Sequence, residues 1–218
     1  MCQAQSLRLC CAFFFSQKSI SFIYNKNLIY SGKNMPHLVL SSRAMQVVNN
    51  SINLFHHHGF HTVGVDRIVK ESNIPKATFY NYFHSKERFI EICLIVQKER
   101  LKEKVVLIAE YTSHASARDK LKELYLLHTD VEGLYYLLFK AIFETKLSYS
   151  KAYQVAIKYR TWLINEIYSQ LIKLKTDTTF QDARLFLYMI EGSIIQLLSS
   201  DQTGESEMLL DCFLNGLR

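Results

Sequence analysis

Glycine and proline are scarce in this chain, which has seven Gly and two Pro among 218 residues. An all-β protein needs many tight turns, and these two residue types make most of them. Apolar residues form 49% of the chain, which is enough to cover helices with a buried face. The composition therefore predicts an all-α protein, long enough for a small domain followed by a larger one.

The sequence motifs of common enzymes are also missing. There is no Gly-rich phosphate loop, no nucleophile elbow and no pair of metal-ligating residues on one helix face. Three acidic residues of the C-terminal half, Glu144, Glu166 and Glu191, stand alone in the sequence, and we interpret them as solvated or helix-capping groups. We therefore expect no catalytic activity and no cofactor.

Cysteine provides no disulfide framework. Three of the five cysteines lie within the first eleven residues, which leaves Cys93 and Cys212 in the folded part. A single well-separated pair is typical of buried thiols in a reducing, cytoplasmic setting.

The first 34 residues contain no long hydrophobic run. Lys18 and Lys26 interrupt the apolar stretches before they reach the roughly 18 residues of a membrane span. A signal peptide is a weaker alternative, because no convincing small-residue cleavage site follows. We interpret Met35 as the physiological start and residues 1–40 as an extension outside the fold, either disordered or a mis-assigned start.

Basic charge is concentrated near the N-terminus. The formal net charge is +6, to which residues 1–34 contribute +4, residues 41–88 contribute +3 and all later residues contribute −1. A local basic excess is typical of a surface that neutralises DNA phosphates. The distribution favours a DNA-binding head on a nearly neutral body.

Apolar periodicity predicts four helices at the start of the fold. The first ends at Gly59, a C-terminal capping residue, and a short second helix follows Gly64. Asn73 tolerates left-handed backbone and so suits a sharp turn, while Pro75 has its φ preset for the start of a third helix. Ser85 is the expected N-cap of a long fourth helix.

The segment from Gly64 to His84 has the spacing of a helix-turn-helix. On its second helix Phe79 and Phe83 share the inner face. The small and amide groups opposite suit base edges in a major groove, whereas lysine and tyrosine suit phosphates. The predicted base-reading residues are Ala77 and Asn81, and the predicted phosphate contacts are Lys76, Tyr80, Tyr82 and Lys86.

These motifs resemble the DNA-binding head of the tetracycline-repressor (TetR/AcrR) family of bacterial regulators. The resemblance extends over residues 42–92, and it is strongest in residues 59–60, 62–68, 76–83 and 85–87. The sequence departs from the family at Gly64, where Ser or Thr often caps the second helix, and at Ser72-Asn73, where a small residue and Gly are usual.

The resemblance implies which residues touch DNA. Thr78, Tyr80, Tyr82 and Lys86 match positions that commonly contact operator DNA, and Lys76 and Ala77 match the start of the reading helix. It also implies a head at residues 41–85 and a larger ligand-binding and dimerisation domain at residues 86–218. A repressor of this kind binds a palindromic operator as a homodimer and is released by a small molecule.

Five further helices are predicted in the larger domain, at residues 117–129, 131–147, 149–174, 180–199 and 205–217. The last two carry apolar stripes that permit pairing with a second subunit, although they can instead pack within one subunit. The first stripe is Ala183, Phe186, Leu187, Ile190, Ile194 and Leu197, and the second is Leu209, Cys212, Phe213 and Leu217.

The middle helices are rich in aromatic residues, which either line a cavity for an apolar or aromatic ligand or fill the core. We name Phe139, Tyr159 and Trp162 as candidate ligand-binding residues. Two alternatives to a ligand-released repressor remain open. One is a DNA-binding regulator gated by a protein partner, and the other is a helical interaction protein that does not bind DNA.

A run of histidines, His56-His57-His58, raises the hypothesis of a metal site. Successive helical residues diverge by about 100°, so the three imidazoles cannot converge on one ion. Histidine near a helix C-terminus is also explained by the helix dipole. We therefore predict no metal site.

Overall fold

The computed structural model describes residues 40–111, 115–199 and 204–216, and all regular elements within these ranges are helices. The predicted extension lies outside the described residues except for its last position. The helices are α1 (Ser42–His58), α2 (Val65–Glu71), α3 (Lys76–Phe83), α4 (Lys86–Val106), α5 (Ala117–Thr129), α6 (Leu134–Glu144), α7 (Ser150–Leu171), α8 (Phe180–Ser199) and α9 (Gly204–Gly216). A π-helical turn, Leu107–Tyr111, continues α4.

Local sequence signals set the end of α1 and the start of α4 where predicted. Gly59 has a φ of +81°, which closes α1 in the left-handed region that favours glycine. A Cβ atom there would also lie 2.9 Å from a carboxylate oxygen of Glu144. Ser85 caps α4, because its hydroxyl accepts a hydrogen bond of 3.0 Å from the Arg88 N–H.

Five phenylalanine side chains form the core of the head, and all are 0% exposed. We call this set, Phe55, Phe60, Phe79, Phe83 and Phe89, the head aromatic cluster. The Phe83 and Phe89 rings are 4.5 Å apart, and the Phe55 and Phe89 rings are 6.1 Å apart. The prediction that Phe79 and Phe83 face inward is therefore confirmed, and the cluster ties α1 and α3 to α4.

The body is built around α4 and α7, which pack along each other, with α6 against both and α8 against α7. Helix α4 thus belongs to both regions, because its N-terminal end carries Phe89 of the head. Helices α1 to α9 fall within one compact unit, Ser42–Arg218. In the described part of the chain, every helix is too short or too polar to cross a bilayer.

The apolar stripe predicted for a dimer interface on α8 is buried inside the subunit. Ala183, Phe186, Leu187, Ile190 and Ile194 are all 0% exposed, and Leu197 is half-buried. On the second predicted stripe Leu209 and Cys212 are exposed, Phe213 is half-buried and Leu217 lies outside the described residues. Assigning the α8 stripe to an intersubunit surface was therefore wrong, and the alternative of packing within the subunit is correct. The helical period identified an apolar face, but it could not distinguish an inner face from a second apolar face on the same helix.

A polar network crosses the interior of the body. The Arg160 guanidinium donates two hydrogen bonds, of 2.6 and 2.8 Å, to the carboxylate of Glu191. The Tyr135 hydroxyl donates a third to the same carboxylate over 3.3 Å. Interpreting Glu191 as an isolated group was therefore wrong, because its partners come from α6 and α7, distant in sequence.

His128 is fully buried beside this network. Its Nδ1–H donates to the Leu124 carbonyl over 2.6 Å, so its Nε2 accepts from the Tyr159 hydroxyl over 2.7 Å. Burial disfavours the charged imidazolium and lowers the pKa of His128 to about 4. The imidazole is therefore neutral at pH 7 and acts as a fixed hydrogen-bonding link between α5 and α7.

We expect His128 to make stability fall in mild acid. The unfolded chain binds this proton below the ordinary pKa of 6.5, whereas the folded chain binds it only near pH 4. The free energy of unfolding should therefore drop by about 2 kcal/mol from this group between pH 7.5 and pH 5. Urea unfolding of the native chain and of His128→Gln, which retains a partner for Tyr159, measures the difference.

The advantage of the native chain over His128→Gln should shrink by that amount at pH 5. His58→Gln, a change at an exposed histidine, serves as the matched control. Parallel pH profiles for the native chain and His128→Gln would contradict the assignment.

Candidate nucleic-acid interface

The turn between α2 and α3 is built by Asn73. Its φ of +49° places it in the left-handed region, as the sequence predicts. Its N–H donates to the Lys70 carbonyl over 3.2 Å, and the Ile74 N–H donates to the Val69 carbonyl over 3.1 Å. Ile74 is buried, so the turn is pinned to the core before Pro75 starts α3.

Helix α3 has two sharply different faces. Phe79 and Phe83 belong to the head aromatic cluster, and the opposite face is open to solvent. Of the predicted contact residues on this helix, Ala77, Tyr80 and Asn81 are exposed, while Thr78 and Tyr82 are half-buried at the flanks. The structure thus gathers the two predicted base-reading residues on one exposed surface, with hydroxyl groups beside them.

The two lysines predicted to contact phosphates, Lys76 at the start of α3 and Lys86 at the start of α4, both have partners within the head. Lys76 pairs with Asp66 of α2 over 2.7 Å, and this hydrogen bond raises the pKa of Lys76. The Lys86 ammonium donates to the His61 carbonyl over 3.4 Å and lies 5.8 Å from the centre of the Tyr149 ring. Each ammonium has three N–H donors, so these partners use only part of its hydrogen-bonding capacity.

One basic residue near this surface was not singled out from the sequence. Arg43, in the first turn of α1, is exposed and lines a shallow cleft together with Ser72 and Asn73 of the turn. Its charge is visible in the sequence. Its position beside the turn depends on how α1 packs on α2, which periodicity does not reveal.

A carboxylate joins the head to the body. Glu144, at the end of α6, accepts a hydrogen bond of 2.7 Å from the Phe60 N–H, and its carbonyl accepts one of 2.6 Å from His61. Lys140, one turn earlier on α6, donates to the His56 carbonyl over 3.0 Å. We call these contacts the head–body joint. Glu144 was predicted to be solvated or helix-capping, but its carboxylate binds the Phe60 N–H of the head, outside its own helix.

Of the three candidate ligand-binding residues, Tyr159 and Trp162 are neighbours, and Phe139 is connected to Tyr159 only through the ring of Tyr135. Phe139 and Tyr159 are 5% and 0% exposed, and Trp162 is half-buried. The rings of Tyr159 and Trp162 are 5.5 Å apart, and the Lys102 ammonium lies 4.7 Å from the centre of the Trp162 ring. Trp162 is therefore the member of the set with access to solvent.

The helix-turn-helix and the helices around it are similar to those of known proteins. Residues 48–92 match the family model described as bacterial regulatory proteins, tetR family. The chain is 24% identical over 141 residues to IcaR, the negative transcriptional regulator of the biofilm operon icaADBC in Staphylococcus aureus. That match covers 65% of this chain and 68% of IcaR.

Solved structures share the fold. NemR of E. coli in its reduced form is 18% identical with a TM-score of 0.71, covering 80% of this chain and 96% of NemR. FadR of Bacillus subtilis, solved in complex with stearoyl-CoA, is 20% identical with a TM-score of 0.57, covering 79% and 96%. The match of residues 48–92 and these likenesses confirm the predicted all-α fold with a helix-turn-helix head.

We expect the stability of Asn73 variants to depend on how well the new residue tolerates left-handed backbone. Asn73→Gly should leave the free energy of unfolding within about 0.5 kcal/mol of the native value, because glycine adopts this φ freely. Asn73→Ala should lower it by about 1 kcal/mol, since a Cβ without a compensating amide is disfavoured there. Urea unfolding of both variants measures the difference, and equal stability of the two variants would contradict the role of the turn.

Proposed function

We propose that this chain is a transcriptional regulator of the TetR/AcrR family, which represses transcription by binding a palindromic operator as a homodimer. In this proposal residues 41–85 are the DNA-binding head and residues 86–218 the ligand-binding and dimerisation domain. The observation that carries it is the exposed face of α3, which the buried Phe79 and Phe83 hold outward.

The proposed DNA contacts of α3 and its flanks are of two kinds, contacts with bases and contacts with phosphates. Ala77 allows close approach to a thymine methyl, and the Asn81 amide can pair with adenine through two hydrogen bonds. Thr78, Tyr80 and Tyr82 present hydroxyl groups that suit phosphate oxygens. Lys76, at the start of α3, and Lys86, in the first turn of α4, add charge on either side of the reading surface.

The dimer surface is proposed on the outer face of α8. Leu185, Tyr188, Ile195 and Leu198 are each 50% to 58% exposed and follow helical spacing, with Gly192 between them. On helix α9 Met208 and Leu209 are 61% and 53% exposed, so a monomer would leave these apolar side chains in water as well. A contiguous apolar patch of this kind marks a protein interface. A two-fold dimer then sets two α3 helices about one DNA turn apart.

Release of DNA is proposed to follow ligand binding in the body. FadR was solved with stearoyl-CoA, which supports a small apolar or aromatic ligand here. Trp162 is half-buried next to the buried Tyr159, so it is the candidate entry to that site, with Phe139 proposed deeper in the body. A ligand that favours a different position of α6 would move the head through the head–body joint, and so lower the population that fits the operator.

Selection of bound sequences from a pool of random duplexes tests the proposed function. The proposal expects an enriched inverted repeat whose half-site centres lie about 10 base pairs apart. Enrichment of a single asymmetric site would contradict the dimeric reading. Absence of any enrichment above the input pool would contradict sequence-specific binding.

We expect Tyr80→Ala and Lys86→Ala each to weaken binding to the selected duplex by about tenfold, because each removes a phosphate contact. Lys86→Ala should also lower by about one the slope of log affinity against log salt concentration. Fluorescence anisotropy at several salt concentrations measures both. Lys158→Ala, an exposed lysine of α7, is the matched control, and unchanged, equally salt-dependent binding by the two head variants would exclude these contacts.

We expect Tyr188→Glu to convert the dimer to a monomer, because it places a charge at the centre of the apolar face of α8. Leu147→Glu is the matched control, since Leu147 is 96% exposed outside that face. Sedimentation velocity measures the state of each protein. A monomeric native chain, or a dimer that survives Tyr188→Glu, would contradict the proposed interface.

A further inference from the structure

Two of the three consecutive histidines turn toward the same acidic residue. His56 and His57 end α1 in the head, and Glu132 lies in the loop between α5 and α6 of the body. One ligand atom from each of the three side chains lies within 4.8 Å of the others. His58 points elsewhere, and its Nε2 lies 2.7 Å from the guanidinium of Arg67. The three imidazoles diverge as predicted, but the Glu132 carboxylate, from the loop between α5 and α6, lies close to two of them.

The distances suit a small divalent ion. The His56 Nε2 and a carboxylate oxygen of Glu132 are 3.5 Å apart. Two ligands about 2.0 to 2.1 Å from a tetrahedral zinc ion lie about 3.3 Å apart, so this pair needs almost no movement. His57 and Glu132 are exposed. Rotation of their side chains can therefore bring the third ligand into place without disturbing the core.

Two of the three ligands are held in advance. The His56 side chain is 11% exposed, and its ring packs 5.0 Å from the centre of the Tyr136 ring, edge to face. Its carbonyl accepts the hydrogen bond from Lys140. The backbone of Glu132 is fixed because its N–H donates to the Asp130 carboxylate over 3.0 Å. His56 therefore loses little conformational entropy when an ion binds, and the ordering cost falls on the exposed side chains of His57 and Glu132.

The chemistry of the set favours zinc. Two neutral imidazoles and one carboxylate are ligands of zinc sites that leave a fourth position to water.

We propose that His56, His57 and Glu132 form a zinc site that clamps the DNA-binding head to the body. The site bridges the last turn of α1 and the loop before α6, next to the head–body joint. Zinc bound there restricts the position of α1 relative to α6. The regulatory consequence rests on the proposed function. Zinc at this site changes the affinity for operator DNA, because it selects one position of the reading helix α3.

Zinc titration of the full chain by calorimetry, with no DNA present, tests the site. The proposal expects one zinc ion per chain, and affinity at least tenfold lower in Glu132→Gln and in His57→Asn. His58→Asn is the matched control and should bind as the native chain does. Equal binding by Glu132→Gln and the native chain, or no binding at all, would overturn the proposal.

Cobalt identifies the ligands independently of affinity. The cobalt complex of the native chain should show visible d–d absorption without the near-ultraviolet charge-transfer bands of thiolate ligands. Thiolate bands would assign the ion to cysteine and overturn the site. Zinc should also raise the melting temperature of the native chain and not that of Glu132→Gln, and an equal shift in both would contradict a clamp at Glu132.

Binding of the selected duplex with zinc or with EDTA tests the regulatory consequence. The proposal expects a change of affinity in the native chain that Glu132→Gln lacks. Zinc binding with unchanged duplex affinity would overturn the clamp as a regulatory device. Failure to select any duplex would instead count against the proposed function and would leave the zinc titration decisive for the site.

Discussion

The packing of the head aromatic cluster is the constraint on which the rest of this structure depends. Phe79 and Phe83 lie on one side of α3, so burying them against Phe89 of α4 fixes which side of the helix meets solvent. Removing one such ring from a filled core costs on the order of 3 to 5 kcal/mol. The hydrogen bonds and ion pairs at the ends of α3 are weaker and exposed, so they adjust to this packing and do not determine it.

The same cluster connects the head to events in the body. Phe60 contributes its ring to the cluster and its N–H to the carboxylate of Glu144. A shift of α6 therefore reaches the head aromatic cluster through Phe60, while His56, four residues earlier, is itself a ligand of the proposed zinc site. Coupling by short contacts between rigid helices needs no change of secondary structure, only a second position of α6 relative to α1.

Local chemistry made much of the head predictable. Asn73, Pro75 and Ser85 act within a few residues of themselves, so the sequence indicates the turn, the helix start and the cap. The pairing of Glu191 with Arg160 and the contact of Glu144 with Phe60 span 31 and 84 residues. Such contacts depend on how helices pack, and one sequence without that packing cannot reveal them. The meeting of His57 with Glu132 was missed for the same reason.

The exposed face of α3 is proposed to read base sequence, and substitution of Asn81 is the most direct test of that role. The affinities of the native chain and of Asn81→Ala would be measured for the selected duplex and for every single base-pair change within one half-site. The account predicts that Asn81→Ala loses discrimination at one base pair and retains it at the others. A uniform loss of affinity across all duplexes, with discrimination unchanged at every position, would contradict it.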